Sequence, residues 1–232
     1  MNEHSNNSGV NRAENADRHL FTETGLNFPD IAQCFQYMEE YAMLPNIRRH
    51  SIIVARVAWQ IVEELNASER STVPVPDQEL VIPGALLHDI AKTPCLKNDC
   101  DHAQEGAVIC NRLGYPEIAR IVGEHVILND HDVTRYNQGV FDAREVIYYA
   151  DKRVRHEEIV SLEDRLEYIL EIYGMDDQVL HGLIKENFNK CIQLEKSLFS
   201  FLPFSPDLLA EKVLRSQPDK ELNAFFAESK GK

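Results

Sequence analysis

Residues 46–65 read NIRRHSIIVARVAWQIVEEL, and within them Val54, Val57, Ala58, Ile61 and Leu65 recur on the spacing of one helical face. His50 continues that stripe toward the N-terminus, which puts an imidazole in line with aliphatic side chains. Pro45 and Asn46 punctuate the chain before it, and Asn46 is expected to cap the helix. Upstream, Phe28 and Pro29 precede a helical pattern from Asp30 to Met43. Downstream, residues 66–76 are rich in Ser, Thr and Pro and read as a loop. Asp77 is expected to cap a helix that runs to Lys92 or Thr93 and stops before Pro94. Pro83 inside it would remove one backbone bond, giving a late start or a mild kink.

The same periodicity continues to the C-terminal end. Asp101 and Gln104 have the spacing of a capping box, placing His102 in the first turn of a helix that ends before Gly114. Pro116 opens a helix carrying Ile118, Ile121, Val122 and His125. Asp142 and Glu145 repeat the capping spacing ahead of Ile147, Ala150, Asp151 and Val154. Further helices are expected over Leu162–Tyr173 and Asp177–Phe201, with short ones near Pro206–Arg215 and Pro218–Ala227. Little β signal competes with these patterns, so the expected fold is all-α.

The first residues, MNEHSNNSGVNRAENADRH, hold neither an apolar stretch nor an Arg-rich, acid-poor composition, and residues 1–27 read as a disordered leader. No apolar run approaches the roughly 20 residues that span a bilayer. A cytoplasmic protein without membrane partners is the expectation. A formal net charge of −14 argues against non-specific nucleic-acid binding, which depends on Lys and Arg neutralising phosphates. It leaves room for a small phosphate ester, because a bound cation can reverse the local field. The five cysteines form no even disulfide framework and no CxxC pair, so reduced thiols are expected. Cys95 and Cys100 lack the further ligands that a zinc finger needs.

The chemistry-bearing residues stand out against the apolar pattern. LLHDIAK, residues 86–92, sets His88 and Asp89 side by side at the end of an aliphatic run, with Lys92 on their face if the helix continues. Burying an unpaired carboxylate or imidazole among leucines is costly, so each needs a partner. His125 follows Ile118, Ile121 and Val122, and Asp151 is flanked by Ile147, Tyr148 and Val154. Inward polar groups on separate helices are all satisfied at once by a shared cation. Imidazole and carboxylate without thiolate suit Fe, Mn, Zn, Co or Ni.

RRHS at residues 48–51, LLHDIAK, and ADK at residues 150–152 together resemble the H…HD…D signature of HD-domain metal-dependent phosphohydrolases, over roughly Asn46–Val154. The resemblance implies a compact helical bundle of the HD-domain type over residues 28–174. The spacing of Phe188, Leu194, Leu198, Phe199 and Phe201 points to extra C-terminal helices in residues 175–232 packed on it or against a second copy. The resemblance also implies that His50, His88, Asp89 and Asp151 hold one metal. DHAQEGA at 101–107 and GEHV at 123–126 resemble the added segments of the dinuclear subset, so that His102 and His125 would hold a second metal with Asp89 as bridge. Two divalent ions per chain follow, Fe or Mn favoured. Ala91 stands where the family often has Gly. Gly114 and Pro116 read as helix punctuation, and His131 and Asp132, in a lid-like stretch over residues 129–140, read as solvated turn residues.

The implied reaction is hydrolysis of a phosphate ester or anhydride of a nucleotide-like small molecule. Metals roughly 3.5–4 Å apart would share a hydroxide, Asp89 would fix their spacing, and Lys92 would stabilise phosphoryl charge. Arg49, Arg120 and Arg153 lie near these positions and read as surface ion-pair partners. Two other activities fit the same resemblance: a di-iron oxygenase on this fold, and a regulatory module that binds a nucleotide without turning it over. A homodimer is compatible with the helical C-terminal region.

Overall fold

A computed structural model of the chain describes residues 20–21, 27–68, 76 and 78–216. The expected leader, the Asp77 cap and the helix near Pro218–Ala227 fall wholly or mostly outside the described residues. Strand β1 (Leu20–Phe21) pairs antiparallel with β2 (Asn27–Phe28). Helix α1 (Ile31–Glu40) then starts at a capping box between Asp30 and Gln33. Helix α2 runs over Pro45–Ala67. Here the expected cap is corrected: Leu44 occupies the N-cap, Pro45 is the first helical residue, and Asn46 is inside the helix. Proline suits that position because its missing N–H is one the first turn leaves unpaired anyway.

Helix α3 (Gln78–Leu87) contains Pro83 and ends earlier than its composition suggests. Residues 88–91 form a turn, and a new helix α4 (Lys92–Asn98) begins at Lys92. Pro94, read from sequence as a stop, therefore stands in the first turn of α4, where it costs no helical hydrogen bond. Helix α5 (His102–Arg112) is capped by Asp101, which accepts from the backbone of Ala103 and Gln104. The Gln104 side chain does not close the box but donates to the Gly123 carbonyl. Gly114 takes a positive φ of 87°, ending the α5 turn, and Pro116 opens α6 (Pro116–Glu124), so both residues punctuate as expected.

A five-residue helix α7 (Val133–Asn137) interrupts the stretch read as a lid. Helix α8 (Ala143–Lys152) has the complete Asp142–Glu145 capping box. A two-strand turn, β3 (Val154–Arg155) and β4 (Glu158–Ile159), leads to α9 (Leu162–Tyr173) and α10 (Gln178–Phe201). A 3-10 turn (Pro206–Leu208) and α11 (Leu209–Arg215) complete the described chain.

The core is one cluster. Helix α2 packs on α3 and α8, α3 on α6, and α5 on α6, while α10 lies against α7, α8 and α9. Val54, Val57, Leu86, Val122 and Ile147 share that core with Leu194 and Leu198 of α10, so the C-terminal helix belongs to the same apolar body. The α5–α6 contact is close because Gly106 has no side chain: a Cβ there would stand 2.6 Å from Val122 Cγ1. Gly106→Val is expected to cost about 1–3 kcal/mol through overpacking, which thermal denaturation reads as roughly 2–4 °C of Tm per kcal/mol for a chain of this size. An unchanged Tm would mean that α5 can move away from α6 freely.

Candidate metal centre

Five elements each contribute to one buried cluster. Helix α2 supplies His50 from its inward stripe, and the turn after α3 supplies His88 and Asp89. His102 is the first residue of α5, His125 caps the end of α6, and Asp151 sits in the last turn of α8. The structure thus brings together all six residues that the sequence put forward as ligands. His88 is fully buried, and Asp89 is 1% exposed.

The two oxygens of Asp89 face different partners. Oδ2 lies 3.4 Å from His88 Nε2 and 4.0 Å from His50 Nε2. Oδ1 lies 3.4 Å from His102 Nε2 and 3.5 Å from His125 Nε2. Asp151 Oδ1 joins the first half, 3.0 Å from His50 Nε2 and 3.7 Å from His88 Nε2. In both triads, His50–His88–Asp89 and Asp89–His102–His125, the donor atoms lie within 4.8 Å of one another.

The backbone sets the direction of the rings. His88 Nδ1 donates to the Ala85 carbonyl at 2.7 Å, and His125 Nδ1 to the Val122 carbonyl at 2.6 Å. His50 Nδ1 donates to the His156 carbonyl at 3.1 Å, where His156 takes a left-handed conformation in the β3–β4 turn. A carbonyl only accepts, so each Nδ1 carries a hydrogen and each Nε2 is turned toward the carboxylate oxygens. Two acceptors repel, so either a second ring proton, as in the 3.0 Å hydrogen bond between His50 Nε2 and Asp151 Oδ1, or a cation has to lie between them. His88 Nε2 and Asp89 Oδ1 are buried and have no hydrogen-bond partner. Such a donor set fits divalent cations of the Fe, Mn, Zn, Co or Ni kind.

The electrostatics express the same demand. Burial raises carboxyl pKa values, yet Lys92 and His88 hold Asp89 well below the usual range, and Lys152 and His50 do the same for Asp151. Burial pulls His88 down, but Asp89 and Asp151 outweigh it and lift its pKa to about 9. Burial pushes His125 down to about 4, with repulsion from His88 in the same direction. The two carboxylates draw positive charge from the ring and the lysines around them.

Lys92 Nζ donates to Asp89 Oδ2 at 2.8 Å from the start of α4. Lys92 and His102 are the half-buried edge of the cluster, and beside them opens a cavity of about 590 Å³. Two residues in this region escaped the sequence reading. Lys152 is buried, donates to the His125 carbonyl at 2.6 Å and lies 3.4 Å from Asp151 Oδ2, so it ties the two halves together. Arg165 of α9 lines the cavity, and its Nε is buried without a hydrogen-bond partner. The ADK run held a signal for Lys152, whose neighbours on α8 are all inward, whereas nothing local marks Arg165.

Other expectations are corrected. Arg153 is buried, with donors on the Val160 and Pro206 carbonyls and Glu195, so it clamps α8 to the C-terminal region and is no surface residue. Arg49 pairs with Glu157 at the surface as expected, and Arg120 is exposed. His131 bonds to Gln193 and Asp132 caps α7, so neither joins the cluster. Cys95 and Cys100 form a disulfide, not a pair of free thiols. Asp99, left-handed at the end of α4, turns the chain back and brings their Cα atoms to 4.8 Å. Cys34, Cys110 and Cys191 remain buried thiols.

Comparison with known proteins gives a consistent placement. The sequence model of the HD domain matches residues 47–169, just over half of the chain. Ribonuclease Y of Treponema denticola is similar, with 30% identity over 123 residues that cover 53% of this chain and 22% of that protein. The chain therefore spans only a minor part of that relative's length. No solved structure gives a significant match. None of the helices among the described residues is long and apolar enough to cross a membrane.

Proposed function

Because the chain belongs to the HD-domain family, usually metal-dependent phosphohydrolases, we propose that it hydrolyses a phosphate ester or anhydride of a small, nucleotide-like molecule. The observation that carries this reading is the divided carboxylate of Asp89. One oxygen faces His50 and His88, the other His102 and His125. His50, His88, Asp89 and Asp151 would hold one cation, and Asp89, His102 and His125 a second. Bound divalent cations make water nucleophilic near neutral pH and neutralise phosphoryl oxygens.

The remaining work falls to the chain. Lys92, at the accessible edge, is placed to meet an anionic oxygen entering from the cavity. Lys152 holds the His125 backbone and the Asp151 carboxylate in fixed relation. The aliphatic packing of α2, α3, α6 and α8 keeps bulk water from the cage. We assign residues 28–174 to the catalytic unit and residues 175–232 to an extension, whose described helices α10 and α11 share its core. The relative's name points to RNA as a substrate, and a net charge of −14 argues against a polyanion docking on this surface.

Elemental analysis of protein purified without chelator tests the reading. Two ions per chain are expected, with Fe or Mn favoured, and His102→Ala combined with His125→Ala is expected to leave one. A wild-type protein that never exceeds one ion after reconstitution would overturn the dinuclear assignment. Hydrolysis is to be screened across nucleoside monophosphates, by phosphate release, and across dinucleoside polyphosphates, cyclic nucleotides and short RNA, by chromatography of the nucleotide products. Turnover of RNA alone would replace the small-molecule reading.

A further inference from the structure

The cavity beside the cage is unlike at its two ends. Toward the cage stand Lys92, Lys152 and Arg165, three cations in a chain of net charge −14. The rest of the wall is mostly aliphatic and aromatic: Ile169 from α9, and Leu180, Leu183, Ile184 and Phe188 from α10, with Tyr173 of α9 close enough to Lys92 to feel its charge. Opposite them are Leu96 of α4 and Ile127, just past α6. Away from the cage, the side chains there that could read a sugar or a base are Asp99, the Tyr173 hydroxyl and Asn187, and Asn187 is already spent. Asn187 donates to the Val126 carbonyl and accepts from the Tyr148 hydroxyl.

The mouth is also unusually open for so apolar a surface. Leu96 is 67% exposed, Ile127 58%, Leu183 59% and Tyr173 51%, and all four line the same cavity. Large apolar side chains gathered in one exposed place mark a surface that something covers. Cations at the base and hydrocarbon at the rim match a molecule with the reverse pattern, an anionic head and an apolar body.

Resting on the phosphohydrolase reading but replacing its nucleotide-like group by an apolar one, we propose that the substrate is a phosphate monoester of an apolar alcohol, its phosphate between the cage, Lys92 and Arg165 and its alkyl or aryl group along the α9–α10 wall. Arg165 lines the cavity and contributes a guanidinium, whose planar array of donors pairs with phosphate oxygens. In the reaction, water oxygen forms a new bond to phosphorus and the ester P–O bond breaks. The alcohol leaves carrying a proton from that water, and nothing is oxidised or reduced. A diester would bring a second organic group to a base that offers it only charges. A nucleoside monophosphate would cover this hydrocarbon with a polar base and sugar, leaving less apolar surface matched than an alkyl or aryl group does.

The test uses the metal-loaded full chain and two series of probes. For ethyl, butyl and hexyl phosphate, kcat/KM is expected to rise about fourfold per methylene, the effect of burying one CH₂. Calorimetric affinities for the matching alkylphosphonates, which cannot be hydrolysed, should rise in parallel, with adenosine monophosphate as the polar comparison for both. Leu183→Ser should flatten both series. Arg165→Met should weaken all phosphonates equally, by about 10–100-fold. Rising phosphonate affinity without any phosphate release would uphold the apolar-ligand assignment and overturn the hydrolase reading. Flat affinities with good turnover, or adenosine monophosphate preferred over hexyl phosphate, would overturn the assignment and leave the hydrolase. Flat affinities in a dimer that Leu183→Asp dissociates would give the mouth to a second copy, which also overturns it.

Discussion

Asp89→Asn is expected to reduce metal content in both halves of the cage at once and to lower turnover by more than the ~10²–10³-fold that follows loss of one electrostatic group. The expectation comes from the two faces of its carboxylate. Oδ2 serves His50 and His88, and Oδ1 serves His102 and His125. An amide keeps one weak oxygen donor and turns the other position into a hydrogen-bond donor, which a cation repels. His102→Ala, by contrast, touches only the Oδ1 half. Metal analysis of the two variants side by side separates a bridge from an ordinary ligand. Asp89→Asn protein that keeps one ion at full occupancy would show that the halves are independent, and the bridging role would be lost. Melting temperatures taken with chelator present distinguish loss of metal from loss of fold.

The clustering of the candidate ligands was legible in the sequence because their chemistry contradicts their surroundings. His50, His125 and Asp151 each occupy a helical position whose near neighbours are aliphatic. A polar group kept on such a face needs a partner that the local sequence does not supply. The helices were legible for the ordinary reason that their apolar residues repeat at helical spacing. Their ends were less so, and the failures share a cause. Pro45 and Pro94 look like stops or flanks in sequence, yet each stands in the first turn of a helix. What breaks the run between α3 and α4 is a set of tight bonds, Ile90 N to Leu87 O and Lys92 N to Asp89 O, that turn His88 and Asp89 toward the other ligands. No local preference records a turn that tertiary partners impose.

Buried cations were missed for a related reason. Arg153 was read as a surface residue because long basic side chains usually reach solvent. Its partners, Glu195 and the Pro206 carbonyl, are distant in sequence. Arg165 became visible only when α9 and α10 closed over the cavity. The disulfide depends on the left-handed turn at Asp99, a conformation that a five-residue separation does not announce. With that bond present, cysteine usage gives no support to a reducing compartment.

Lys92→Ala is expected to keep metal content near that of the unsubstituted protein while losing about 10²–10³-fold in turnover. The position of Lys92 removes the alternative in which its charge only steadies a helix. A cation stabilises a helix C-terminus, and Lys92 is the first residue of α4, where the macrodipole presents its positive end. Its retention there has to be explained by what it touches. It touches Asp89 Oδ2 at 2.8 Å and borders the cavity. Two roles remain, and they differ in what else changes. If Lys92 meets the phosphoryl group, Lys92→Ala loses turnover with both ions in place, and Lys92→Arg restores part of it because a guanidinium also binds phosphate oxygens. If Lys92 acts only by fixing the Asp89 carboxylate, metal occupancy falls together with turnover. Full turnover in Lys92→Ala would take the residue out of the mechanism altogether. Charge stabilisation would then fall to the cations and Arg165.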